Sequence, residues 1–353
     1  MHAETEIAII GGGPIGLELA VAFKRAGIDY LHFEAGQVGQ TISWFAPGTR
    51  FFSSNERISI AGVPLQTADQ GKATREEYLA YLRSVALQFD LPVHCYEPII
   101  GIDRSGDGFV LSSRRGAVGS GGEPRQYRAR RIVLCTGGTD RPRRLNIPGE
   151  DLPHVSHYFQ DPHTYFRQNL LVVGGKNSAV EAALRCDQVG ARVAISYRRP
   201  ELPAKSIKYW LMPEIAGLMQ AGRIAGHFST VPTRITPGSV TLQPVDVTFA
   251  PTAEPFEVPA DFVLLLTGYE QDNSLLNLAG VELHDFEQKP VYNEHTMETN
   301  TPGIYVAGTA TGGTQQRYSV FLENCHVHVE RIVAAVRGET KQIAEPTYAA
   351  PES

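Results

Sequence analysis

Two glycine-rich turns carry the residue types best suited to chemistry. The first reads Gly11-Gly12-Gly13-Pro14-Ile15-Gly16. It follows the apolar run Glu6–Ile10 and opens a helical pattern over Pro14–Arg25. In that setting each glycine of the Gly-x-Gly-x-x-Gly spacing has its own task. Gly11 permits a tight turn, Gly13 lets the backbone approach a pyrophosphate, and Gly16 lets helix and strand pack closely. The pyrophosphate then meets free amides at the positive end of the helix dipole, where Pro14 begins the helix. Glu34 closes the next strand about twenty residues on, where a carboxylate accepts ribose hydroxyls. These residues predict a dinucleotide site.

The second turn, Val173-Gly174-Gly175-Lys176-Asn177-Ser178-Ala179, is the same fingerprint in variant form. Lys176 stands at the middle glycine and Ala179 at the last. Alanine there loosens helix–strand packing only slightly. A lysine adds a cation, which either meets phosphate or points into solvent. The following strand ends in Tyr197-Arg198-Arg199. An acid at that place would hold the 2′-hydroxyl of NAD, whereas arginine pairs with a 2′-phosphate. The second turn is therefore expected to take NADPH, through Gly174, Gly175, Lys176, Asn177, Ser178, Ala179, Arg198 and Arg199.

Both turns sit in β-α-β units. In the first, a strand at Glu6–Ile10 leads into a helix stopped by Gly27 and a strand at Tyr30–Glu34. In the second, Leu170–Val173 leads into a helix at Ser178–Val189, capped by Gly190, and a strand at Arg192–Tyr197. Thr74–Gln88 reads as a helix with Thr74 as its N-cap and Leu79, Leu82, Val85 and Ala86 as its apolar face. Gly101–Arg131 reads as a β-meander with its tip at Gly116, Gly119, Gly121, Gly122 and Pro124. Arg131–Cys135 reads as a further buried strand running into Thr136-Gly137-Gly138. The aperiodic stretch Thr139–Gln168 reads as a domain crossover. Phe262–Gly268 and Gly303–Gly308 each carry an apolar strand into a glycine turn. Ser319–Arg337 reads as a terminal helix, and Pro346–Ser353 as a loose tail. The expected fold is α/β, with two Rossmann-like three-layer nucleotide-binding domains, the second inserted in the first. Residues 1–148 and 271–353 form one and residues 149–270 the other.

Composition narrows the function classes. The 353 residues are 42% hydrophobic and 20% charged, a core-forming balance with room for two domains. The net charge of −6 argues against general attraction to nucleic acid or an anionic membrane. No stretch has the length and apolarity to span a bilayer, and no signal peptide is evident, so the cytoplasm is expected. Cys95, Cys135, Cys186 and Cys325 are too far apart for a Cys-x-x-Cys redox pair or a zinc knuckle, and no metal is expected. Cys135, just before the Thr136-Gly137 loop, and His163, ahead of the second turn, are the candidates for a catalytic group. Simple buried packing is the competing reading for Cys135, and Cys325 is a weaker redox candidate.

Several segments together carry a family resemblance. They are Gly11-Gly12-Gly13-Pro14, Phe51-Phe52-Ser53-Ser54, Gly174 through Leu184, Ser206-Ile207-Lys208-Tyr209-Trp210-Leu211-Met212-Pro213-Glu214, Thr267-Gly268-Tyr269 and Met297-Glu298-Thr299-Asn300. With these the chain resembles the thioredoxin-reductase-like flavoproteins along nearly its whole length. Among them it looks most like the YpdA family of bacillithiol disulfide reductases. The resemblance implies FAD at the first turn, held by Gly11, Gly13, Pro14, Gly16, Glu34, Gln40, Thr136, Gly137, Gly308, Thr309 and Val320. The segment Thr301–Thr309 is similar to the one that closes the flavin site in such reductases, with Thr309 where the family usually has aspartate. A helix starting near Ser319 or Val320 would aim its N-terminus at the flavin.

The implied chemistry is hydride transfer from NADPH to FAD and onward to a small molecule or small protein, such as a low-molecular-weight disulfide. Some YpdA members carry a cysteine between the proline and the glycine of the first turn. Here that position is Ile15, which cannot form a mixed disulfide. A ferredoxin- or flavodoxin-NADP reductase, a flavin monooxygenase and a non-catalytic flavin-binding redox sensor are the alternatives. Related enzymes form homodimers, and one is expected by analogy.

Overall fold

The first apolar run forms the strand Ala3–Ile10, parallel to Tyr30–Phe33 on one side and to Glu123–Leu134 on the other. Ile7, Ala8 and Ile9 are fully buried, which explains a continuous rather than alternating hydrophobic run. The computed structural model describes residues 3–116, 121–315 and 319–339. Gly119 of the expected hairpin tip and the expected tail Pro346–Ser353 lie outside them.

The chain divides into two compact units. The first takes the described residues up to Ser43, Gly48–Arg141 and those from Tyr269 onward. Its sheet has seven strands. The parallel part runs Val93–His94, Tyr30–Phe33, Ala3–Ile10, Glu123–Leu134 and Ile304–Val306. The sequence suggested a meander followed by a separate strand at 131–135. The structure instead has one strand of 12 residues, Glu123–Leu134, serving both purposes. Its first half pairs antiparallel with Gly108–Arg115, and its second half pairs parallel with Ile304–Val306. Its burial pattern alternates early and becomes continuous at Ile132-Val133-Leu134, as the change of partners requires.

The helix Arg75–Gln88 has the expected cap. Thr74 accepts the Glu77 amide, and Glu77 returns a carboxylate to the Thr74 amide. Of the expected apolar face, Leu82 and Val85 are buried and Leu79 and Ala86 pack partly buried against the same cluster, which Tyr78 and Tyr81 join by turning their hydroxyls onto the Ile58 and Ile60 backbone.

The terminal helix is shorter than predicted. It spans His326–Val336, with Cys325 at its N-cap, and does not start near Ser319 or Val320. The cause lies in two side chains. Gln315 accepts the amides of Ser319 and Val320 on Oε1, and Asn324 accepts the Phe321 amide. These bonds hold an extended residue and a 3₁₀ turn, Leu322–Asn324, where a helix would otherwise begin.

The second unit takes Pro142–Gly268 with Trp44–Pro47. Its five-stranded sheet is parallel, ordered Ala225–Phe228, Arg192–Tyr197, Asn169–Val173, Phe262–Leu265 and Val155–Ser156. Helix Asn177–Gln188 covers it and buries Ala179, Val180, Ala183 and Leu184. The antiparallel strands Thr230–Ile235, Ser239–Pro244 and Phe256–Pro259 follow. In each unit the strand preceding the glycine turn has its next strand on one side and a later strand on the other. This reversal of strand order is where open α/β sheets bind ligands. No helix among the described residues is long and apolar enough to cross a membrane.

Candidate functional site

The glycine positions of the first turn are fixed by collisions that a side chain would cause. Gly11 has φ of 119°, and a Cβ there would strike the Cys135 carbonyl. A Cβ on Gly16 would strike the Gly11 carbonyl oxygen. Gly13 differs: it lies before the helix Pro14–Ala26, and a Cβ there would meet nothing within 4 Å. No side chain caps this helix start. The first amides thus face open space, with no protein atom competing for them, and a pyrophosphate fits.

Glu34 sits just beyond the strand Tyr30–Phe33 and is 8% exposed. Its two carboxylate oxygens accept the Gly12 amide at 2.6 Å and the Gly36 amide at 2.7 Å. Burial raises its pKa, and those amides oppose the shift. Each oxygen keeps a further lone pair for a ribose hydroxyl. Gln40 opens the short helix Gln40–Ser43 and accepts the Gln37 amide beside Gly36. Thr136 follows the strand Glu123–Leu134, and its hydroxyl is buried with no hydrogen-bond partner, an orphan that suits a ligand. Gly137 has φ of 85°, and the next residue, Gly138, donates its amide to the Thr309 hydroxyl at 3.2 Å. Gly308 packs against Ile15 and donates its amide to His328 Nδ1 at 3.2 Å. The structure therefore gathers Gly11, Gly13, Pro14, Gly16, Glu34, Gln40, Thr136, Gly137, Gly308 and Thr309 at the C-terminal edge of one parallel sheet. Val320 precedes a 3₁₀ turn and not the expected helix N-terminus, and its amide donates to Gln315 Oε1.

His32 is a participant that sequence reading passed over. It is fully buried, and its Nε2 donates to the Gly11 carbonyl at 2.9 Å, bracing the turn from behind. Burial lowers its pKa to about 4, so it is neutral and carries the Nε2–H tautomer. A histidine between Leu31 and Phe33, on the strand next to the fingerprint, was the available signal.

The second turn repeats the geometry. Gly174 has φ of 143°, and a Cβ there would strike the Leu266 carbonyl, as Gly11 would strike that of Cys135. Ala179 is 1% exposed at the place of Gly16. Lys176 is the exposed N-cap of the helix, Asn177 accepts the Lys208 amide at 2.6 Å, and Ser178 is exposed. The strand registers pair Ile10 with Phe33 and Val173 with Ser196, so Tyr197 holds the place of Glu34. Its ring lies against Gly175, as the Glu34 side chain lies against Gly12. No acid occupies that position. Arg198 and Arg199 follow, both exposed.

The catalytic candidates do not gather. Cys135 lies in the apolar cluster with Ile15, Val133 and Cys325, and burial pushes its pKa to about 12. Burial raises that of Cys325 as well, and its thiol donates to the Phe321 carbonyl. Cys186 is pushed to about 12 by burial, and Cys95 is raised too. All four are free thiols, and none has the depressed pKa of a reactive cysteine. His163 is exposed on the 3₁₀ turn Pro162–Tyr165, which leads into the start of Asn169–Val173. Arg167 there contacts the Gly190 carbonyl, so His163 lies at the end of its unit opposite the glycine turn.

A second, part-buried histidine links to solution conditions. His326 Nδ1 lies 2.6 Å from Glu18 Oε2 and Nε2 lies 2.9 Å from the Arg57 carbonyl, so both nitrogens face acceptors and the ring is held as the cation. Burial favours the neutral ring, but Glu18 and the Arg57 carbonyl override it and the pKa is raised. A raised folded pKa means stabilisation that is full below the unfolded value and is lost as pH rises through the folded one. Thermal melts should therefore show the wild type losing an increment above about pH 6.5 that His326→Gln lacks at every pH. Parallel pH profiles for the two proteins would refute the charged assignment.

Residues 8–308 match the family described as pyridine nucleotide-disulphide oxidoreductase. The Bacillus subtilis protein named bacilliredoxin reductase Bdr is 35% identical over 329 residues, covering 93% of this chain and 96% of that one. The Bacillus cereus structure named bacillithiol disulfide reductase Bdr (YpdA) superposes with a TM-score of 0.87 at 34% identity, covering 95% of this chain and 99% of that one. Thioredoxin reductase from T. acidophilum shares the fold, with a TM-score of 0.71 at 16% identity over 96% and 99% of the two chains. The open helix start, the orphan Thr136 hydroxyl and the paired glycine turns thus have their explanation: this chain belongs to the pyridine nucleotide-disulphide oxidoreductases and is an FAD-dependent, NADPH-linked oxidoreductase with the thioredoxin-reductase-like fold.

Proposed function

We propose that this protein reduces a low-molecular-weight disulfide of the bacillithiol type with electrons from NADPH, without a cysteine of its own in the exchange. The observation that carries the second half is the state of the four thiols, which are free and held protonated, together with Ile15 in the first turn. The relatedness to bacilliredoxin reductase and bacillithiol disulfide reductase supports the acceptor class. Bound FAD supplies a carrier that takes two electrons from NADPH and passes them to a disulfide, which leaves with two protons as two thiols. Gly11, Gly13, Gly16 and the first amides of helix Pro14–Ala26 would hold its pyrophosphate, Glu34 its ribose, and Thr136 and Thr309 the remaining polar edge. Gly174, Gly175 and the amides of helix Asn177–Gln188 would take the pyrophosphate of NADPH, and Arg198 and Arg199 its 2′-phosphate. Ile15, seated on Gly308, keeps its position dry and unreactive. Four unpaired thiols also suit a reducing cytoplasm.

An anaerobic cuvette experiment tests this. NADPH should bleach the flavin band near 450 nm (roughly where oxidised flavins absorb), and bacillithiol disulfide should restore it. A protein with Cys95, Cys135, Cys186 and Cys325 all replaced by serine or alanine should keep both steps at near wild-type rates. Restoration by ferredoxin or oxygen but not by a disulfide would overturn the acceptor, and loss of the second step alone in the cysteine-free protein would overturn the direct route.

A further inference from the structure

The two arginines after Tyr197 are not loose surface cations. Arg198 and Arg199 both lie over one aromatic ring, that of Phe249, at 5.7 Å and 5.1 Å from its centroid. Arg199 also donates to the Val247 carbonyl at 3.1 Å. Among the described residues neither guanidinium meets a carboxylate within ion-pair distance, so most of their donors remain for an anion. The ring itself is held in an unusual way. Phe249 has φ of 69°, a conformation that a bulky side chain rarely adopts, and it remains 43% exposed. The loop around it is organised by Asp246, whose Oδ1 accepts the Thr248 amide, the Thr248 hydroxyl and the Ala250 amide. The Asp246 amide in turn donates to the Ala250 carbonyl, and the Phe249 amide to the Asp246 carbonyl. A tight loop thus carries a strained, part-exposed aromatic ring with two cations over it. Strain maintained by surrounding bonds points to a function for the ring.

We propose that the loop Asp246–Ala250 is the positioning element for 2′-phosphate recognition, with Phe249 as the platform that sets the two guanidiniums. This rests on the assignment of Arg198 and Arg199 to the NADPH 2′-phosphate. An aromatic face attracts a guanidinium and fixes its plane, which lowers the freedom lost when the fork closes on a phosphate. The effect belongs to ligands with the 2′-phosphate and not to the rest of the dinucleotide.

The test is calorimetric binding of 2′,5′-ADP and of 5′-ADP to the flavin-loaded protein, with no turnover involved. Phe249→Leu keeps apolar bulk but removes the aromatic face. It should weaken 2′,5′-ADP by about 3- to 10-fold and leave 5′-ADP unchanged. Phe249→Tyr should restore wild-type affinity, which a role in mere loop packing would not single out for one ligand. If Phe249→Leu binds both ligands as the wild type does, or weakens both equally, the platform role is wrong. If replacing Arg198 and Arg199 by alanine also leaves 2′,5′-ADP binding unchanged, the assignment beneath it fails instead.

Discussion

Gly16→Ala should yield a protein that is destabilised and retains little FAD, whereas Gly13→Ala should yield one that is stable but equally poor in FAD. Within a helix, glycine to alanine ordinarily gains about 1 kcal/mol. At Gly16 the new methyl would strike the carbonyl oxygen of Gly11, which the Phe33 strand and His32 hold in place. Overpacking of that kind costs about 1–3 kcal/mol, enough to reverse the helix preference and to push the turn out of shape. At Gly13 the methyl meets no protein atom, and the backbone φ of −76° is one that alanine adopts readily. The only thing it obstructs is the approach of a ligand to the helix amides. Thermal melting of the flavin-free proteins and an FAD titration separate the two effects. We expect at least about a tenfold loss of FAD affinity in both, a loss of about 1.4 kcal/mol or more, but a lower Tm only for Gly16→Ala. A Gly13→Ala protein that holds FAD as tightly as the wild type would place the pyrophosphate elsewhere.

Replacing Arg198 and Arg199 together by alanine should raise KM for NADPH by about 100-fold and leave KM for NADH nearly unchanged. Hydrogen bonds to a charged group contribute about 1.5–3 kcal/mol each, and two such donors are lost. The loss is selective because Tyr197 holds the place that Glu34 holds in the first unit, so no carboxylate is there to reward a bare 2′-hydroxyl. Steady-state kinetics with both cofactors decides it. Equal effects on NADPH and NADH would mean that the arginines serve the fold or the shared pyrophosphate.

Much of this protein is determined by local sequence. The cap at Gly27 and the capping box from Thr74 to Glu77 depend on neighbours within a few residues, so they are legible before any folding is considered. The same is true of both fingerprints, because each is a strand, a turn and a helix in direct succession. The family follows from those segments read together.

Other features depended on contacts between distant residues. Glu123–Leu134 became one strand because its halves find different partners, one next in sequence and one from residues 304–306. The later start of the terminal helix, by contrast, is a local effect: the Gln315 and Asn324 side chains bond backbone amides three to five residues away. His32 and Phe249 take their roles from distant contacts. The first acts through the Gly11 carbonyl, 21 residues away, and the second through a loop fifty residues beyond the arginines that lie against it. Only the packed chain could show that Cys135, Cys186 and Cys325 are buried thiols, because a thiol's acidity is set by what surrounds it and not by its place in the sequence.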